Sequence, residues 1–336
     1  MRRHPPPAPG KQRGVALMIV LMIVALVVVL ATEMGARLQL QVQRTMNLKD
    51  NNQAYWYARG AEAFARKSIQ DLMDETRDKI TLSQPWAQEF VYPLENGGLQ
   101  ANLEDLRACF NLNAILQGED SSSTASRNQP TEAMTAFQSM LLAMQIDGLD
   151  NYTADTLRDS LADWVDDDDR MRSYGAEDSE YESREFPYLA ANNPLASKTE
   201  LRIINGASPA WINELMPLVC VIPDNQELLI NVNTLEPEHA ALLAGVTGLD
   251  IQEATSLIGN RPPDGWEETA DFLSEPVIQA LSLNNTRQAW FAVTTEYFIL
   301  HTKTRYNKAT FKLSTVFQAN KDAGVSILKR EFGGFN

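Results

Sequence analysis

The sequence predicts an α+β protein in which a long N-terminal transmembrane helix packs on a small antiparallel sheet. Three observations support this fold class: an uncharged apolar run near the N-terminus, alternating apolar residues at both ends of the remaining chain, and a long helix-rich stretch between them. Alternation with a period of two is typical of half-buried strands. Because helices separate the two groups of strands, we expect a large inserted α-helical domain that interrupts the sheet.

The membrane anchor is the run from Val15 to Thr32, which contains no charged residue. This length is just enough to cross a hydrocarbon core as a helix. Basic residues precede the run and no acid does: Arg2, Arg3, Lys11 and Arg13. Since positive charge stays on the cytoplasmic side, we expect a single-pass protein with a cytoplasmic N-terminus. A secretory signal peptide has the same layout, but this run is longer than its usual apolar core and no A-x-A cleavage site follows.

The helix is expected to continue well beyond the anchor. Small and apolar residues recur at three- and four-residue spacing from Ala54 to Leu72, and no proline interrupts before Pro85. A helix from Val15 to about Lys79 is on the order of 95 Å long at 1.5 Å per residue. We expect its second half to pack on a soluble domain.

The strands lie on either side of the helix-rich stretch. Asn96-Gly97-Gly98 predicts a turn that leads into a strand, and residues 311–317 alternate between apolar and polar. We predict the boundaries that follow: anchor 15–32, helix and first strands 33–110, inserted helical domain 111–290 and C-terminal strands 291–336.

A weak repeat occurs within the predicted insertion. Phe110-Asn-Leu-Asn113 and Ile230-Asn-Val-Asn233 each open a helical stretch. The second copy resembles the helix-hairpin-helix units of competence DNA receptors, which makes a membrane-tethered DNA receptor the alternative function. Its hairpin at 245–250 ends in an acid and has no adjacent lysine or arginine, and the net charge of the chain is -15. Because such a surface repels phosphate, we expect no nucleic-acid partner.

The densest chemical signal is the acidic segment from Asp163 to Tyr181. It contains eight acids, which repel one another unless a hard cation such as calcium neutralises them. Asp166, Asp168 and Glu177 match positions 1, 3 and 12 of an EF-hand loop, but Arg170 and Met171 break that register. We therefore predict an irregular calcium loop for one or two ions, whereas a solvated acidic turn is the alternative. The aromatic residues between the acids favour an ordered loop. The predicted ligands are Asp166, Asp168, Glu177, Asp178 and Glu180.

The two cysteines, Cys109 and Cys220, lie outside any C-x-x-C pair, so a thiolate zinc site is not expected. In an oxidising compartment we predict a disulfide between them. It would close a loop of about 110 residues and stabilise the fold by about 4 kcal/mol. Two buried, unpaired thiols are the alternative. The sequence carries no nucleophile elbow, HExxH or P-loop motif, so we do not expect an enzyme.

The residues at the start of the anchor resemble the type IV prepilin class. A basic leader ends in Gly14, and the apolar helix follows at once. This resemblance implies that prepilin peptidase removes residues 1–14 by cutting between Gly14 and Val15, and that Val15 is then N-methylated. Most pilin-like subunits carry Glu at the fifth mature position, where it pairs with the N-terminal amine of a neighbour. Here that position is Ile19, and in this class the member without the Glu lies at the fibre tip.

The whole chain is similar to the protein K family of type II secretion minor pseudopilins. The motifs that carry this similarity are ACFNLN, GAEDSEY, PLVC and INVNT, together with the terminal strands. The resemblance implies a pseudopilin fold, calcium at the acidic segment, and a periplasmic domain anchored in the bacterial inner membrane. It also implies minor pseudopilins I and J and the major pseudopilin fibre as partners. The expected role is to cap the fibre tip, to act in its initiation and length control, and so to serve the export of folded proteins.

Overall fold

The computed structural model describes residues 13–76, 78–119, 129–320 and 324–333. Residues 1–12, most of the predicted leader, lie outside these ranges. The described chain forms a long N-terminal helix, a five-stranded antiparallel sheet and a helical domain inserted between two neighbouring strands of that sheet. The predicted fold class is therefore confirmed.

Helix α1 runs from Arg13 to Thr76, slightly earlier at both ends than predicted. Its second half packs on the sheet through small and apolar side chains at three- and four-residue spacing, which place them on one helix face. These buried residues are Ala54, Ala58, Ala61, Ala65, Ile69 and Met73. The four alanines let this part of the helix axis lie close to the sheet.

The sheet has the strand order β1-β2-β7-β8-β9, and every pairing is antiparallel. In chain order the strands are β1 (Phe90–Leu94), β2 (Gly97–Asp105), β3 (Phe110–Asn111), β4 (Val219–Cys220), β5 (Ile230–Asn231), β6 (Phe291–Ala292), β7 (Tyr297–Tyr306), β8 (Ala309–Asn320) and β9 (Gly324–Phe332). The central strand is β7, and in its pairing with β2 Asp105 lies opposite Phe298. The insertion thus leaves the sheet after Asp105 and returns at Tyr297.

The insertion is longer at both ends than the predicted range 111–290. The short strand β3 pairs with β4, and β6 pairs with β5, in both cases in parallel. Phe110 and Phe291 are buried in the core of the helical domain rather than in the sheet. Apolar residues at these two positions look the same in sequence whichever core they join, so their pattern alone does not place the boundary.

The inserted domain is built from short helices around one large apolar core. They are α2 (Glu132–Ala143), α3 (Asn151–Val165), α4 (Asp178–Glu182), α5 (Ile212–Leu215), α6 (Ala240–Thr247), α7 (Ile251–Gly259), α8 (Thr269–Leu273), α9 (Pro276–Ala280) and α10 (Asn285–Gln288). Helices α2 and α6 pack closely on each other. A Cβ at Gly245 would lie 2.6 Å from that of Met140, so glycine permits this close approach.

The repeat suggested by the two Asn-x-Asn motifs has the same geometry in both copies. In the first copy the Asn113 side chain bonds both backbone groups of Leu195, at 2.8 and 3.1 Å. In the second copy Asn233 does the same with Trp266, at 2.8 and 2.9 Å. This contact spans 82 residues in the first copy and 33 in the second. The first copy is longer, and the acidic segment lies within its longer span.

Cys109 and Cys220 form a disulfide, with their Cα atoms 5.8 Å apart. The bridge lies at the junction of the sheet and the inserted domain, where Leu106, Tyr297 and Val316 pack around it. It therefore joins the residue that precedes β3 to the end of β4.

Candidate functional site

The first half of α1 is exposed along its whole length. Every residue from Val15 to Lys49 is exposed, and Ile19 has a relative exposure of 54%. Among the described residues, α1 is long and apolar enough to cross a membrane. An apolar helix of this kind needs lipid or other helices around it.

The exposed side of α1 continues as a stripe into the soluble domain. Its positions recur at intervals of three, four and seven residues, which keeps them on one helix face. We call this face the α1 stripe: Gly35, Val42, Met46, Gln53, Tyr57, Gly60 and Phe64. No heavy atom would lie within 4 Å of a Cβ at Gly35 or Gly60, so the stripe is open at both glycines.

The stripe ends in an apolar groove between α1 and β1. Its volume is about 230 Å³, and its lining includes Gly60, Phe64, Phe90 and Tyr92. The ring of Phe64 stacks on Phe90 at 5.3 Å, and Phe90 stacks on Tyr92 at 6.1 Å. We call this feature the aromatic groove. Exposed aromatic side chains of this kind are typical of protein interfaces.

The acidic segment forms a buried cluster at the end of α3. Asp163 and Asp166 are both buried there, and the guanidinium of Arg172 donates to them at 2.7 and 2.5 Å. It also donates to Glu119 at 2.8 Å. Burial raises the pKa of Asp163 to about 6 despite its bonds to Arg172. Arg172 is thus the cation that the described residues themselves supply to this cluster.

Among the predicted ligands, Glu177 has the surroundings that are least favourable to an ionised carboxylate. Its side chain is buried, and neither carboxylate oxygen has a hydrogen-bond partner among the described residues. Burial, reinforced by the negative charges of Asp163 and Asp166, raises the pKa of Glu177 to about 8. An ionised carboxylate in this position requires a nearby cation.

Asn192 is a residue that the sequence analysis missed. Its amide nitrogen donates to Asp169 at 2.9 Å, whereas its buried Oδ1 has no hydrogen-bond partner among the described residues. Its backbone has a φ of 45°, a left-handed conformation that asparagine tolerates better than most residues. In the sequence, Asn192 belongs to a polar Asn-Asn-Pro stretch that indicates only a loop.

The other predicted ligands are not all gathered at one point. Asp168 accepts a hydrogen bond from Arg170, Asp178 accepts one from the backbone of Ala190, and Glu180 is exposed. Among the described residues, no three His, Cys, Asp or Glu side chains stand in a group that could hold a metal ion. The binding of calcium at this segment stays a prediction.

Comparison with known proteins places these features in one family. The family model described as type II secretion system protein K matches residues 230–294, and the model for its first part matches residues 108–224. The type II secretion system protein K of Aeromonas hydrophila is 35% identical over 98% of this chain and 99% of its own length. The chain belongs to the type II secretion system protein K family.

Other protein K sequences agree along most of the chain. That of Klebsiella pneumoniae is 36% identical over 96% of this chain and 97% of its own length. A putative protein K of Escherichia coli K12 is 38% identical over 78% of this chain and 79% of its own length. Protein K is a minor pseudopilin, a structural component of the secretion machinery. Membership of this family favours a minor pseudopilin over the alternative function, a membrane-tethered DNA receptor.

A solved structure shares the fold. The crystal structure of the GspK–GspI–GspJ complex from the enterotoxigenic Escherichia coli type II secretion system matches with a TM-score of 0.76 and 28% identity. The match covers 87% of this chain and all of the other. Both minor pseudopilins predicted as partners, I and J, are present in that complex.

Proposed function

We propose that this chain caps the tip of a short pseudopilin fibre, where it acts in starting the fibre, setting its length and exporting folded proteins across the outer membrane. One observation carries the proposal: α1 has a bare apolar half that suits a helical fibre core, and a bulky inserted domain is fixed to its other half. A subunit of this shape can join neighbours below it through α1. Its inserted domain obstructs addition above it.

The residue at position 19 agrees with a place at the tip. A carboxylate within an apolar helix is unfavourable unless a partner pairs with it. A tip subunit has no neighbour above whose amine could do so. Ile19 is exposed on α1, and the residues around it are also apolar. This part of the helix is therefore suited to contact with lipid or with neighbouring helices.

We propose that the α1 stripe and the aromatic groove together receive minor pseudopilins I and J, with the major pseudopilin fibre below them. The stripe is continuous with the bare apolar helix, so one partner helix can follow it from the membrane into the soluble domain. The groove adds stacked rings at the end of that path, where Phe64 is 58% exposed and Tyr92 is 53% exposed. Exposed aromatic residues of this type often contribute most of an interface's binding energy.

The double variant Phe64→Ala/Phe90→Ala is expected to lower co-purification with I and J at least tenfold and to reduce secretion in a strain that lacks the native chain. Folding should change little because Phe64 is exposed and Phe90 lies on the edge strand β1. Fibre length is measured by electron microscopy in the same cells. Fibres in cells without the chain should be absent or abnormally long.

Phe186→Ala is the matched control, since Phe186 is 78% exposed but belongs to the inserted domain. It should behave like the wild type. If the chain is dispensable for both fibre assembly and secretion, the tip proposal is wrong. If loss of the whole chain impairs assembly and secretion but Phe64→Ala/Phe90→Ala behaves like the wild type, the groove is not the partner surface.

We propose that the chain lies in the inner membrane with its inserted domain in the periplasm, and that prepilin peptidase cleaves between Gly14 and Val15. Basic residues before the apolar helix support this orientation. Mass spectrometry of the wild type should find a methylated Val15 as the first residue. The variant Gly14→Val should retain residues 1–14 and lose function, because the peptidase no longer recognises the site. Retention of the leader in the wild type would contradict the prepilin pathway.

We propose that the acidic cluster holds calcium. The support is geometric: the buried oxygens of Glu177 and the buried Oδ1 of Asn192 have no hydrogen-bond partner among the described residues, and oxygen ligands of these types suit Ca²⁺. Glu177 and Asn192 would contribute ligands, with Asp166, Asp168 and Asp178 nearby in the same segment. Bound calcium would supply the positive charge that a buried Glu177 carboxylate requires, and so would order residues 166–194.

A further inference from the structure

A second feature of the inserted domain is an open cleft beside the acidic cluster, with a volume of about 580 Å³. Its floor is the first part of α3, including Tyr152 and Thr156. One wall is the segment 171–175, and the other is the segment 205–207. Glu180 also lines the cleft, although the sequence predicted it as a calcium ligand.

Both walls of the cleft are held against α3. In the wall 171–175 the backbone nitrogen of Tyr174 donates to Asp159 of α3 at 3.2 Å. A Cβ at Gly206, where φ is 88°, would lie 2.7 Å from the backbone nitrogen of Leu157, so glycine lets the wall 205–207 pack directly on the helix. Asn205 is fixed by hydrogen bonds with Tyr181, Arg184 and Ser160, at 3.1–3.4 Å. The cleft is therefore formed before any partner arrives, which lowers the entropy lost on binding.

Three side chains of the cleft are unusually exposed for their type. Tyr152 is 68% exposed, Met171 is 58% exposed and Tyr174 is 44% exposed. The two tyrosine rings lie 6.0 Å apart with an interplanar angle of 84°, so they form a corner. Tyrosine and methionine are enriched in protein interfaces, and exposed apolar groups gathered in a cleft mark a binding site.

The charge of the cleft indicates the chemistry of its partner. Glu180 is the charged residue in the lining, no lysine or arginine lines the cleft in the described part of the chain, and the whole chain has a net charge of -15. Aromatic faces attract cations, and a guanidinium both stacks on such faces and pairs with a carboxylate. We propose that this cleft binds an arginine side chain presented by a protein partner, with Glu180 pairing its charge and the Tyr152–Tyr174 corner contacting its plane.

The proposal does not depend on the assembly surface of α1. Because the wall 171–175 and Glu180 lie in the segment 166–194 that calcium would order, every titration contains saturating calcium. The full-length protein in detergent is titrated with the tripeptide acetyl-Gly-Arg-Gly-amide, and the methyl NMR signal of Met171 is followed. The control ligand is the same peptide with citrulline, which has a similar shape but no charge. We expect a saturable shift at millimolar arginine peptide and at least fivefold weaker binding of the citrulline peptide.

Two variants test the residues of the cleft. Glu180→Gln and Tyr174→Leu should each weaken binding of the arginine peptide at least threefold. Glu182→Gln removes an exposed acid of the same helix that does not line the cleft, and it should leave binding unchanged. Three results would each overturn the proposal. The first is equal shifts with both peptides, and the second is an equal loss of binding in Glu182→Gln and Glu180→Gln. The third is no shift at 20 mM peptide, since about millimolar affinity is expected.

Discussion

Replacing Arg172 by alanine is expected to lower the free energy of unfolding of the inserted domain by about 3–5 kcal/mol. The guanidinium bonds Asp163, Asp166 and Glu119, and the first two of these carboxylates are buried. Removal of one partner from a buried ion pair leaves the other charges without compensation in a poorly hydrated site. Urea unfolding of the full-length protein in detergent, followed by tryptophan fluorescence in the presence of EDTA, measures the loss.

Arg170→Ala is the control, because it removes the same type of side chain two residues away. Arg170 is 62% exposed and pairs with Asp168, and an exposed pair of this kind contributes at most about 1 kcal/mol. If both variants lose the same stability, Arg172 does not have the neutralising role inferred from its contacts.

Calcium is expected to raise the melting temperature of the wild-type protein by several degrees, and EDTA is expected to reverse the rise. A ligand that binds only the folded state stabilises it in proportion to the logarithm of its concentration. Glu177→Gln should remove the response to calcium while raising stability in EDTA, because the amide no longer buries an ionisable charge. Asn192→Ala should weaken the response. Magnesium serves as the comparison ion, since it accepts a site of this irregular kind less readily.

The same carboxylate predicts how the calcium-free protein depends on pH. Burial raises the pKa of Glu177 from its ordinary 4.5 to about 8, so the folded state keeps a proton that the unfolded state releases between these values. In EDTA, stability should therefore fall as the pH rises from about 5 to about 8, by about 4 kcal/mol in all. Glu177→Gln should remove this slope above about pH 6, whereas a smaller slope from the raised pKa of Asp163 remains below it. If the stability of the wild type changes neither with EDTA nor with pH in this range, both the calcium site and the effect of the buried Glu177 carboxylate are excluded.

The features that sequence predicted best are those with a local pattern. Helix α1 follows from an uncharged apolar run, the three- and four-residue spacing after it and the absence of proline before Pro85. The sheet follows from alternating residues, and the inserted domain follows from the order of these segments. The two Asn-x-Asn motifs also indicated a repeat, because each opens its helical stretch with the same short pattern. For each helix and strand, the residues that determine it are close together in the sequence.

The features that sequence did not predict depend on contacts between distant residues. The pairing of β3 with β4 joins Phe110 to Val219, and a two-residue strand has no periodicity to detect. In the sequence Arg172 is one basic residue among acids, whereas its bonds to Asp163, Asp166 and Glu119 place it at the centre of the cluster. The aromatic groove requires Phe64 of α1 and Phe90 of β1 to meet, which becomes visible only when the sheet is in place.

The pairing of β2 with β7 joins two parts of the chain that lie far apart in sequence. Asp105 can pair with Phe298 only after all the residues between them have been synthesised, and closure of so long a chain segment is entropically unfavourable. The inserted domain has its own large core, and its Cys109–Cys220 bridge lies at the junction of this domain and the sheet. Because this domain joins the end of β2 to the start of β7, we expect its collapse to bring the two parts of the sheet next to each other, where they pack on α1.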